Sequence, residues 1–89
     1  MISDEGPKNL WSEILAFGET SFDKIELAMF IESRYKRPFI ALRGNARTSG
    51  SNDIEGLVVH LLRALKNLGY LDCDVRRHIW TIRKERQRP

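Results

Sequence analysis

The sequence predicts a small α+β domain of three main helices followed by a C-terminal β-hairpin. Three observations predict it. Ile54, Leu57, Val58, Leu61, Leu62, Leu65 and Leu68 recur at the three-and-four spacing of one helical face. Gly69 follows directly and provides a stop. Beyond it come Tyr70-Leu71, a polar Asp72-Cys73-Asp74, Arg76-Arg77, and the strand-like run His78 to Ile82, in which Trp80 and Ile82 alternate onto one face.

The first helix is expected over Lys8 to Gly18. Leu10, Trp11, Ile14 and Leu15 share a face, with Phe17 at its edge, and Gly18 fits a C-terminal stop. Residues 1–7 read as a disordered lead-in punctuated by Gly6-Pro7. The second helix is expected from Ser21 to Arg34, with Thr20 as N-cap and Asp23 completing a box-like pattern three residues on. Phe22, Ile25, Ala28, Met29, Phe30 and Ile31 give it a wide apolar face, which makes it the most buried element of the prediction. The run Ile25 to Ile31 also suits a buried strand, but its length and the preceding cap favour helix. Pro38 ends this helix, because the residue before a proline is pushed out of helical geometry. Phe39, Ile40 and Leu42 suit a short turn of helix or an edge strand, and residues 43–51 read as a polar loop. The third main helix starts at Asn52 as N-cap, with Glu55 reaching back as in a capping box, and ends in a Schellman stop at Gly69 where Tyr70 can pack on Leu65. Val75 to His78 form the hairpin tip.

Eighty-nine residues make one domain with a small core. No stretch of about 18 apolar residues occurs, so no membrane span is expected, and no secretory leader is visible at the N-terminus. A single cysteine, Cys73, excludes an internal disulfide and suits a reducing cytoplasm. Cys73, His60 and His78 are too few for a four-ligand zinc site, and no other metal or cofactor is implied. No acid or serine is placed to make a catalytic set with either histidine, and no Gly-rich phosphate loop, HExxH or GxSxG is present. An enzyme is therefore not expected.

Charge is unevenly spread. Residues 1–42 hold five Lys/Arg and seven Asp/Glu, a net of −2, and residues 43–89 hold ten and five, a net of +5. A basic C-terminal half favours a polyanionic partner, although basic tails also serve as solubilising ends.

The order helix, helix opening with Ser21-Phe22-Asp23-Lys24-Ile25-Glu26-Leu27-Ala28, third helix, Leu65-Lys66-Asn67-Leu68-Gly69-Tyr70-Leu71, hairpin resembles the winged helix-turn-helix superfamily. The resemblance covers Leu10 to Lys84 and rests on pattern rather than on a diagnostic motif. It implies a winged-helix domain over residues 8–84 with a basic tail over 85–89. It further implies double-stranded DNA binding, with the third helix in the major groove and the hairpin on the backbone or minor groove, as in a small transcriptional regulator. Seventeen positions, Tyr35 to Ser51, stand between the second and third helices, where a helix-turn-helix uses three or four.

Opposite its apolar face the third helix presents Asn52, Gly56, Val59, His60, Arg63 and Asn67. Asn52 and Arg63 suit base or phosphate contacts, Val59 a thymine methyl, and Gly56 close backbone approach. Gly56, Val59 and Arg63 equally suit a protein partner or a dimer contact. Arg76 and Arg77 at the hairpin tip suit phosphate or a narrow minor groove; a charged edge that blocks strand-to-strand aggregation is the alternative. Arg43 and Arg47 in the loop, and Arg83, Lys84 and Arg86 after the hairpin, complete the expected DNA-contacting set. A single module this small covers little DNA, which leaves a place for a homodimer.

Overall fold

The computed structural model describes residues 5–43 and 54–86. Its elements are α1 (Glu5–Phe17), β1 (Ser21–Phe22), α2 (Lys24–Arg34), α3 (Pro38–Arg43), α4 (Ile54–Asn67), β2 (Leu71–Asp74), β3 (Ile79–Ile82) and a 3-10 turn (Lys84–Arg86). The described residues thus form a small α+β domain with four helices and a three-stranded antiparallel sheet of order β1-β3-β2. The helix expected third is α4.

α1 begins at Glu5, earlier than expected, so residues 5–7 are helical rather than part of a disordered lead-in. A proline is tolerated in a first helical turn, where its missing N–H has no partner to lose, and Pro7 is buried. Gly6 is a packing position. A Cβ built on it would meet Leu61 Cδ2 at 2.9 Å, so a side chain there needs the end of the Leu61 side chain to shift. The Asn9 amide also donates to the Leu42 carbonyl at 3.0 Å and ties α1 to the end of α3.

The start of α2 differs from expectation. Ser21 and Phe22 are strand, not helix, and the N-cap is Asp23, whose Oδ1 accepts the Glu26 N–H at 2.7 Å. The cause is non-local. β1 lies along β3 with Ser21 opposite Thr81 and Phe22 opposite Trp80, and the Ile82 N–H donates to the Thr20 carbonyl at 2.8 Å. The open edge of β3 holds the segment extended and sends the Phe22 ring into the core, where it is 2% exposed. The apolar face of α2 shifts with its start. Leu27, Ala28 and Ile31 are buried, whereas Ile25 is 52% and Met29 66% exposed. α2 is therefore not the most buried element.

α4 takes that role. Ile54, Leu57, Val58, Leu61, Leu62 and Leu65 are buried, and only Leu68, at the C-terminal end, falls outside the set. The helix ends in the expected Schellman motif. Gly69 has φ +89, its N–H donates to the Lys66 carbonyl, and the Tyr70 N–H donates to the Leu65 carbonyl, both at 3.0 Å. A left-handed residue here favours glycine because it carries no Cβ. The long connection contains α3, the helical alternative of the two expected. It adds buried Leu42 to the core.

The hairpin register pairs Leu71 with Ile82, Asp72 with Thr81, Cys73 with Trp80 and Asp74 with Ile79. Trp80 and Ile82 face the core as expected. The four residues 75–78 form the tip.

One buried polar cluster had no sequence signal. Glu13 on α1 is 7% exposed and accepts the Tyr35 hydroxyl at 2.7 Å. Its Oε1 lies 3.1 Å from Arg34 Nε as an ion pair, without an N–H aligned on it as a hydrogen bond. The Arg34 guanidinium also stacks on the Phe30 and Tyr35 rings, and its pKa is raised first by Tyr35 and then by Glu13. This cluster locks α1 to the C-terminal end of α2.

Candidate nucleic-acid interface

The outer side of α4 and the hairpin are the two walls of one groove of about 550 Å³. Val59, Arg63, Lys66 and Asn67 form the helix wall. Cys73, Val75, His78 and Trp80 form the hairpin wall, and Lys24 at the start of α2 also lines the groove. These positions follow from periodicity. Val59, Arg63 and Lys66 recur at four and three residues, one helical stripe. Cys73 and Trp80 are directly opposed in register, so both side chains leave the sheet on the same face.

The lining contains Lys24, Arg63, Lys66 and His78 and no carboxylate. Lys24 is partly spoken for, since its Nζ lies 3.0 Å from Glu55 Oε1 at the start of α4. Among the described residues no carboxylate pairs with Arg63 or Lys66, and both are exposed.

The hairpin tip is built by Asp74. Its Oδ1 accepts the backbone N–H groups of Arg76 at 3.1 Å and Arg77 at 3.2 Å, the Asx-type turn that short acidic side chains make. His78 closes the turn with φ 57, a left-handed conformation that costs a residue with a Cβ about 1–2 kcal/mol. Arg76 and Arg77 are exposed at this tip. The Arg77 guanidinium lies 3.9 Å from Asp74 Oδ2 with its side chain 83% exposed, a loose pair that leaves it largely available.

The remaining expected contacts do not share this site. Gly56 is half-buried on α4, and His60 is exposed but lies beyond the groove. Arg83, Lys84 and Arg86 sit at the base of the hairpin, separated from the tip by the length of β3, about 17 Å over the five steps from His78 to Arg83. The segment expected as a basic tail begins as the 3-10 turn Lys84–Arg86. There the Arg83 N–H donates to the Tyr70 carbonyl at 3.1 Å, the Arg83 side chain lies 3.5 Å from Glu85, and the Arg86 guanidinium covers the Tyr70 ring. Tyr70 in turn packs edge-on against Trp11 with ring centres 4.9 Å apart. The two halves of the basic C-terminal region therefore point to opposite ends of the sheet. Arg43 ends α3, and Arg47 and Asn52 lie outside the described residues.

Sequence reasoning missed six groove residues: Lys24, Lys66, Cys73, Val75, His78 and Trp80. Lys66 was accessible, since it falls three residues after Arg63 on the same stripe. Lys24 comes from another element, and no local pattern points to it. Among the described residues no group of three or more His, Cys, Asp or Glu side chains gathers as a metal site, and no helix is long and apolar enough to cross a membrane.

No protein-family model, curated protein or solved structure matches the chain.

Proposed function

We propose that the chain is a winged-helix protein that binds double-stranded DNA, and that it acts in the cytoplasm as a small transcriptional regulator. One observation carries this reading: the outer stripe of α4 and the hairpin flank a single groove whose lining holds four basic or imidazole side chains and no acid. A polyanion meets there the cations Arg63 and Lys66, unpaired among the described residues, and the exposed Arg76 and Arg77 extend the basic surface at the tip. The element order, with a long helix running through a glycine stop into a hairpin, supports the winged-helix assignment. In this reading α4 enters the major groove, with Arg63 on base edges or phosphates, and the hairpin tip holds the backbone.

A mobility-shift series against random duplex at several salt concentrations tests the proposal. Four phosphate contacts from Arg63, Lys66, Arg76 and Arg77 imply a log–log slope of roughly −3 to −4. Absence of any shift at low salt rejects it.

A second reading, a protein-binding module or homodimer, is favoured by a different observation. Ile25 and Met29 lie four residues apart on α2, both more than half exposed. The protein-contacting patch expected at Gly56 and Val59 is weaker, because both are half-buried. Sedimentation of the wild type and of Met29→Glu distinguishes the readings: a wild-type dimer that Met29→Glu dissociates favours protein contact through α2.

A further inference from the structure

We propose that the groove between α4 and the hairpin is also a binding site for a small anion with a flat apolar body, the class of aromatic carboxylates. Its volume of about 550 Å³ lies within the range of small-molecule sites, which run from roughly 300 to 1,000 Å³. Its lining has two chemically distinct parts. Val59, Val75, Cys73 and the small exposed part of Trp80 supply an apolar surface. Arg63 and Lys66 supply cations from one stripe of α4, and Asn67 and His78 add hydrogen-bonding groups.

A bare phosphate uses the cations and leaves the apolar surface wet. A neutral aromatic compound covers the apolar surface and leaves the cations unanswered. An aromatic carboxylate satisfies both, with the guanidinium of Arg63 suited to two-point recognition of the carboxylate. The exposed Val75 and half-buried Val59 favour an apolar body that lies flat along the groove. The site is preorganised from behind, because Trp80 is 7% exposed and held by its register with Cys73 and Phe22. Where the duplex reading holds, ligand and DNA draw on the same Arg63 and Lys66, so the ligand acts as a competitor.

The test needs no DNA, so its failure is distinct from failure of the duplex reading. Nitrogen–proton NMR spectra are recorded while the full chain is titrated with 2-naphthoate, 2-naphthamide or inorganic phosphate. Naphthoate is expected to shift the Trp80 indole and the Val59, Arg63 and Cys73 amides along one saturating curve. Naphthamide should bind at least about tenfold more weakly, and phosphate should leave the Trp80 indole in place. Arg63→Gln with Lys66→Gln should weaken naphthoate by about tenfold or more, and Val59→Asn should do so with both cations present. The Gln pair lies at exposed positions and keeps the fold, so the test stands even where Val59→Asn does not fold. Equal binding of naphthoate and naphthamide, phosphate reproducing the naphthoate shifts, or shifts centred on Ile25 and Met29 would each overturn the proposal.

Discussion

The guanidinium carbon of Arg86 lies 4.2 Å from the centre of the Tyr70 ring. This stack fastens the chain after β3 onto the residue that closes α4, and the Arg83 N–H to Tyr70 carbonyl bond reinforces it. A cation so placed stabilises the fold by stacking and is turned away from the groove. The basic C-terminal stretch thus divides into a tip, free for a partner, and a base, engaged with the body.

Arg76 and Arg77 replaced together by alanine are expected to weaken duplex binding and reduce the magnitude of the salt slope by up to about two. Arg86→Ala is expected to leave the slope nearly unchanged and to cost about 0.5–1 kcal/mol of stability from the lost ring contact. Mobility shifts across a salt series and denaturant melts check both. An Arg86 variant that loses as much slope as the tip variant would place the base of the hairpin on the DNA.

Leu61→Ala or Leu65→Ala is expected to destabilise by about 2–5 kcal/mol, the range for emptying a packed core site. Leu65 is 0% and Leu61 4% exposed, and both lie on the buried face of α4. A loss below about 0.5 kcal/mol for both in denaturant melts is incompatible with this packing.

Tyr35→Phe removes the hydroxyl that donates to the buried Glu13 carboxylate. A bond to a charged acceptor is worth about 1.5–3 kcal/mol, and loss of about that size is expected. Arg34→Ala should cost less, because its side chain is 44% exposed and solvent screens the pair. Chemical denaturation of the two variants sets the order.

Asp74→Ala takes away both acceptor contacts that shape the hairpin tip and is expected to cost about 0.5–1.5 kcal/mol. His78→Gly relieves the left-handed strain while loosening the unfolded chain, so a change within about 1 kcal/mol of zero is expected. Thermal melts of the pair, with tip amide shifts as a local readout, test the turn geometry.

The Glu85 carboxyl titrates below its ordinary value, first because its own backbone N–H bonds to it and then because Arg83 stands beside it. A depressed folded-state pKa contributes stability above the unfolded value, and that contribution is lost as pH falls through the folded value. Glu85 is exposed, so the effect on the whole domain is small and the local titration is the readout. Arg83→Ala should move the Glu85 midpoint upward by NMR without restoring it fully, because the backbone bond remains. An unmoved midpoint would remove Arg83 from the cause.

The sequence by itself determined α4, its Schellman end and the hairpin, because each rests on local periodicity and on one residue with special backbone freedom or alternation. The exposed tip arginines and the Val59–Arg63 stripe were legible for the same reason. Only the tertiary structure decided that Ser21 and Phe22 are strand, since the β3 edge, sixty residues away in the pairing of Ser21 with Thr81, outweighs a local helix cap. Tertiary packing also turned Ile25 and Met29 outward and drew Gly6 against Leu61. It brought Lys24, Lys66, Cys73 and Trp80 around one groove. Contacts between distant segments leave no periodic trace in the chain, and the burial of each face follows from which distant element packs on it.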